Sequence, residues 1–125
     1  MGLVKRQPTT RLLGGTQSAS ETLGPVLRST FIVTAAMSPY TVQSGDYALF
    51  CDCTAGAITV NLPTAVGNTR EIRIKKVDAS ANAVTIDPFG AQTIDGAATN
   101  TDLDVQYEAY TIQADGSNYL IVGGY

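Results

Sequence analysis

The sequence predicts an all-β protein: a single compact β-sandwich or jelly-roll-like domain of about eight to nine short strands, preceded by an extended N-terminal arm. Three observations carry this expectation. Short β-branched and aromatic runs recur from Phe31 onward, each closed by Gly, Pro, Asp or Asn. Glu71-Ile72-Arg73-Ile74-Lys75 alternates strictly, with Ile72 and Ile74 on one side and Arg73 and Lys75 on the other. No helical period is sustained after residue 30, and a chain of 125 residues is near the size that one core supports.

Two segments follow, an arm over residues 1–30 and a β-domain over residues 31–125. The arm is rich in Gly, Ser, Thr and Pro and has no period, yet Leu3, Val4, Leu12, Leu13, Leu23, Val26 and Leu27 are too apolar for a solvated linker. Parts of it are expected to order against a partner or along the body. In the body, strands are expected at Phe31 to Ala35, Tyr40 to Val42, Tyr47 to Cys51, Ala57 to Asn61 and Glu71 to Val77. Further strands are expected at Ala83 to Asp87, Gln92 to Ile94, Val105 to Gln113 and Asn118 to Val122. The last run is almost continuously apolar, as for a strand covered on both faces or at an interface. Ser44-Gly45-Asp46, Val66-Gly67-Asn68, Asp95-Gly96 and Asp115-Gly116-Ser117-Asn118 supply turns, while Pro63 and Pro88 sit at strand ends where a missing amide costs little.

Charge is unevenly spread. Residues 1–30 hold Lys5, Arg6, Arg11 and Arg28 against Glu21, a net +3, and the rest holds four cations and ten carboxylates, a net −6. A basic arm on an acidic body points to docking on an acidic protein surface. Four cations without interleaved aromatics are a thin footprint for nucleic acid, so none is expected. No run approaches the roughly 18 apolar residues that cross a bilayer, and Gln7-Pro8-Thr9-Thr10 interrupts the place a signal peptide's apolar stretch would fill. No membrane is expected, and synthesis in the host cytoplasm is.

The chain has no histidine, which removes the commonest general base and metal ligand near neutral pH. The body's Asp46, Asp78, Asp87, Asp95 and Asp115 adjoin turn residues, where Asp caps backbone amides. Asp102 and Asp104 would share a face if extended, but a hard cation needs more oxygens than this spacing supplies. Cys51 and Cys53 form Cys-x-Cys at the end of an apolar strand and read as small core residues: an extended strand disfavours a disulfide between them, and zinc would need further ligands. Tyr47, Phe50, Tyr107 and Tyr110 fall in strand patterns and read as core or interface, leaving Tyr119 and Tyr125 as the expected exposed aromatic contacts. No catalytic residue, metal or cofactor is expected.

From about Tyr40 to Tyr119 the order of elements resembles a small β-module of phage tail-fibre, head-fibre and other virion proteins. The residues that carry the resemblance run from Gly56-Ala57-Ile58-Thr59-Val60-Asn61-Leu62-Pro63 through Ile72-Arg73-Ile74-Lys75-Lys76-Val77-Asp78 to Ala83-Val84-Thr85-Ile86-Asp87-Pro88. They continue in Gln92-Thr93-Ile94-Asp95-Gly96 and close with Thr111-Ile112-Gln113-Ala114-Asp115-Gly116-Ser117-Asn118-Tyr119. The resemblance implies a non-enzymatic virion subunit, commonly a homotrimer. The chain lacks a repetitive shaft, which favours a capsid decoration (cement) protein on the outer head surface over a fibre or a receptor-binding module for host carbohydrate. The expected partner is the major capsid protein or another virion protein. Lys5, Arg6, Arg11 and Arg28 are expected to give the arm charge complementarity, and Leu12, Leu13 and Leu23 its apolar anchors.

Overall fold

Residues 29–98 and 101–124 are described by a computed structural model, and they form nine strands with one short 3₁₀ turn. In chain order these are β1 (Ser29–Thr34), the 3₁₀ turn Ala35–Met37, β2 (Tyr40–Thr41), β3 (Asp46–Asp52), β4 (Ile58–Asn61) and β5 (Glu71–Lys76). β6 (Val84–Asp87), β7 (Thr101–Leu103), β8 (Ala109–Ala114) and β9 (Tyr119–Gly124) follow. One sheet has the order β1-β3-β5-β8-β9 and the other β2-β4-β6-β7. The two enclose one core drawn from both, including Leu49, Ile72, Ile74 and Ile112 from the first and Ile58, Val60, Val84 and Ile86 from the second. The expected all-β, sandwich-like architecture is therefore the one observed.

The wiring is a coil. The chain passes back and forth between the sheets, so that β1, β3 and β5 pair in parallel in one and β2, β4 and β6 pair in parallel in the other. Three coils are stacked, and residues recur in register: Phe31 lies beside Leu49 and Leu49 beside Ile74, while Tyr40 lies beside Val60 and Val60 beside Ile86. No coil can bury its apolar face alone, and stacking makes the core continuous. Antiparallel strands close the far end, with β7 on β6 and the hairpin β8-β9 on β5. Ile, Leu and Val at full burial each contribute on the order of 1.5–3 kcal/mol relative to exposure, and Leu49, Ile58, Val60, Ile72, Ile74, Val84, Ile86 and Ile112 are fully buried.

Turn chemistry sets the connections. Asp95 and Gly96 both take positive φ, 52° and 79°, between reciprocal backbone bonds of Ile94 and Ala97 at 3.0 Å, the geometry that a two-residue hairpin turn requires. Asp115 Oδ1 accepts from the Ser117 and Asn118 amides, capping the β8-β9 turn.

Several expected strands differ in detail. Gln92 to Ile94 forms only an isolated bridge at Ile94, because the Asp95-Gly96 turn folds it back at once. β7 was not among the expected strands. β8 begins at Ala109, not Val105, because Glu108 N bonds back to Val105 O and Tyr107 adopts φ 68°. β9 is an edge strand, not one covered on both faces: Leu120 and Val122 are 44% and 53% exposed.

Candidate functional site

Three features beyond the aliphatic core bear on function. The first is a buried polar cluster beneath the third coil. Lys76, at the end of β5, is wholly buried and its Nζ lies 2.8 Å from Asp78 Oδ2. Asp78 Oδ1 accepts from the Cys53 amide at 2.7 Å, and Oδ2 accepts from the Ser80 amide at 2.9 Å. Ser80 Oγ is bonded to Asp78 and lies 3.1 Å from the Cys53 carbonyl, to which Asn82 Nδ2 also donates at 2.9 Å. Burial by itself would raise the Asp78 carboxyl, but the bonds from Lys76, Ser80 and Cys53 outweigh it and hold the group well below the ordinary carboxylate range.

A Ser-Lys pair can serve a hydrolase when the lysine is neutral and the hydroxyl faces a cleft. Here the lysine Nζ is engaged by the Asp78 carboxylate, and the serine bridges two loops. The cluster is a strut tying Thr54's loop to the loop after β5. Cys51 and Cys53 adjoin it; burial, together with the neighbouring Cys53 and Asp78, pushes the Cys51 thiol up to about 12, and burial also raises that of Cys53. Both are buried and unpaired, as small core residues.

The second feature is the outer face of the five-stranded sheet. Opposite the buried Ile72 and Ile74, β5 presents Arg73 and Lys75 as its alternation predicts. The β1–β3 register shifts between Ser29 and Thr30, opposite Tyr47, and the Tyr47 ring lines this face. The Arg73 guanidinium lies 5.2 Å from the centre of the Tyr47 ring, whose hydroxyl donates to Glu71 Oε1 at 3.0 Å. Lys75 Nζ lies 5.6 Å from the Tyr107 ring centre and donates to the Tyr107 carbonyl at 3.0 Å. Between these cation–aromatic pairs Ala48, Phe50, Ala109 and Thr111 line an open hollow of about 530 Å³.

The third feature is the open end of the coil stack. β1 and β2 are the outermost strands of their sheets there, and among the described residues no strand pairs with their outer edges. Ile32 is 61% exposed, Met37 43% and Phe31 39%, with Phe31 stacked on Tyr40 at 5.4 Å between ring centres. Tyr40 donates to Asp46 Oδ2 at 2.6 Å, and burial together with that bond pushes its phenol up to about 12.

Of the residues singled out from sequence, Lys5, Arg6, Arg11, Leu12, Leu13, Leu23, Arg28 and Tyr125 lie outside the described residues. Tyr119 is not an exposed contact: it is fully buried, with its hydroxyl donating to the Pro63 carbonyl at 2.6 Å, because β9 turns its ring inward beside Ile94. Tyr107 and Tyr47 do not belong to the core, and Tyr110 packs against it. Asp46, Asp78 and Asp115 accept from nearby backbone amides, the capping role expected of them, whereas Asp95 accepts from the Ile121 amide on β9 and so ties its turn to the neighbouring sheet. Asp102 and Asp104 are exposed, and among the described residues no three His, Cys, Asp or Glu side chains come together as metal ligands. The partner-facing candidates the sequence did not disclose are Ile32 and Met37 at the coil end.

Fold and surfaces together define a coil-wound β-sandwich in which, among the described residues, one end of the stack is uncapped and apolar and one sheet face is cationic and aromatic. No protein-family model matches the chain, and no curated protein matches it in sequence.

Proposed function

We propose that the chain is a non-enzymatic structural subunit of a bacteriophage particle: a capsid decoration protein that binds the outer surface of the head and stabilises it, acting as a homotrimer. The observation that supports this reading most is the uncapped end of the coil stack. A stacked-coil domain needs its terminal coil covered by polar side chains or by a partner. Here the terminal strand β1 exposes Ile32 and Phe31 along an edge that no strand pairs with among the described residues, a template for strand addition or apolar docking. The basic arm of residues 1–28 joins the domain at this same strand. Arm and coil end therefore act on one partner surface, with Lys5, Arg6, Arg11 and Arg28 against acidic groups and Leu12, Leu13 and Leu23 as anchors.

A protein that binds only the assembled, expanded lattice stabilises it by mass action, and three linked copies gain avidity over one. The resemblance of residues 40–119 to virion β-modules supplies the particle and the trimer. The test is binding of the full-length protein to expanded, undecorated capsids, with its mass measured by light scattering. Saturable, stoichiometric binding by a trimer supports the reading, and a protein that ignores capsids at any salt concentration sinks it.

A further inference from the structure

We propose that the uncovered end of the coil stack is a docking surface for the chain's own arm, with residues 9–28 laid over β1 and β2 as a fourth coil. The inference concerns the free subunit and holds whatever partner the domain has.

The end itself is the first ground. Two columns of inward side chains run through the stack, Ile74-Leu49-Phe31 in one sheet and Ile86-Val60-Tyr40 in the other. Ile74, Leu49, Ile86 and Val60 are fully buried, but the columns finish at the 39% exposed Phe31 and the half-buried Tyr40, whose rings stack on each other. A further coil with an apolar residue at the next place in each column would continue the core over this pair. As the last coil it would need a polar outer side.

Spacing is the second ground. In the first coil Tyr40 follows Phe31 by nine residues and precedes Asp46, the start of β3, by six. In the third coil Val84 follows Ile74 by ten. The arm repeats this pattern, because Leu23 follows Leu13 by ten residues and precedes Ser29, the start of β1, by six. Leu13 stands 18 residues before Phe31, just as Phe31 stands 18 before its neighbour Leu49. Pro25 follows Leu23 by two, as Pro88 follows Ile86 where the chain leaves β6. Between the leucines Gly14 and Gly15 supply a turn, and residues 16–22 are polar save for Ala19, as the outer side of a last coil requires.

The third ground favours the chain's own arm over a separate strand. The amide and hydroxyl of Ser29 both bond to the Gly45 carbonyl, so the chain enters β1 beside the connection from β2 to β3. Residues 24–28 lead from Leu23 to that point, much as residues 42–45 lead from β2 to β3. Leu23 is therefore tethered a short connection away from the Tyr40 column, at a high effective concentration. Its docking also covers an edge that invites unwanted strand addition. A partner that takes the coil end displaces the arm and meets the same leucines.

The experiment is hydrogen exchange of the full-length protein, free in solution, in three forms. These are the parent, Leu13→Asp with Leu23→Asp, and Gln17→Asp with Ser18→Asp as a control of equal charge. The β1 amides of Ser29–Thr34 are expected to exchange at least about tenfold more slowly in the parent and the control than in the leucine variant. The β5 amides of Glu71–Lys76 should exchange alike in all three, which shows that the domain is folded in each. The proposal is overturned if β1 exchanges alike in all three forms. It is also overturned if the protection of β1 is lost on about hundredfold dilution, which would make a second copy the occupant. No capsid is present, so this failure leaves the decoration reading standing, and a protein that protects β1 with its arm but ignores capsids sinks that reading alone.

Discussion

The cost of a buried charge dominates at the residue scale. Lys76 is tolerated at zero exposure only because Asp78 meets its ammonium and the Cys53 and Ser80 amides hold the carboxylate in place. Asp78→Ala leaves that charge uncompensated and is expected to cost about 3–5 kcal/mol in urea unfolding at pH 7. Replacing both partners, Lys76→Met with Asp78→Leu, should recover most of that loss. Because folding depresses the Asp78 carboxyl, its contribution is full above the unfolded pKa, about 3.9, and is lost as pH falls through the lower folded value. Parent stability should therefore drop below about pH 4, and the double variant should show a shallower drop. Cys51 and Cys53, with raised pKa values and no exposure, should resist a thiol reagent at pH 8 and both react once urea unfolds the chain. Part of this was legible in the sequence: Cys-x-Cys in an apolar strand read correctly as core, and Asp46, Asp78 and Asp115 as caps of their turns. The burial of Lys76 and Tyr119 was not. Each depends on one partner from another loop, the Cys53 amide for the Lys76–Asp78 pair and the Pro63 carbonyl for Tyr119, and local alternation carries no information about either.

Individual elements were more readable than their pairing. The runs around β3, β4, β5 and β6 alternate or close at Gly, Asn and Pro, and they form strands close to where the pattern places them. Their parallel stacking was hidden, since register between coils is set by the shared core and not by any short turn between neighbours. β7 was hidden for a related reason: Thr101–Leu103 is short, with Leu103 as its one buried residue, and it forms by pairing with β6. The Asp95-Gly96 turn, by contrast, was announced by its own dipeptide. Gly96→Val places a β-branched side chain at φ 79° and is expected to cost at least about 1 kcal/mol, read as a lowered unfolding midpoint. β1 makes the complementary case. Ile32→Lys lies on the exposed side of an edge strand, so it should change stability by no more than about 0.5 kcal/mol. It should nonetheless weaken capsid binding by at least about tenfold, because an edge lysine blocks strand addition and removes an apolar anchor.

For the whole molecule, the coil topology gives the domain two unlike ends. One is closed by β7 and the β8-β9 hairpin, and the other stops at β1 with apolar side chains exposed. That asymmetry gives the domain a polarity, and the proposed decoration role places the open end toward the capsid. Deleting residues 1–28 should leave the domain folded, since the described residues by themselves enclose a continuous core drawn from both sheets. The deletion should nevertheless lower capsid affinity and flatten its salt dependence, as four cations leave with the arm. The central claim is that the open coil end is the surface that docks. Hydrogen exchange of the full-length protein, free and bound to expanded capsids, tests it most directly. The account expects the β1 amides of Ser29–Thr34 to slow on binding while Leu120 to Val122 on the opposite edge are unchanged. Unchanged exchange along β1, with protection confined to β9 or to the Arg73–Lys75 face, would contradict it.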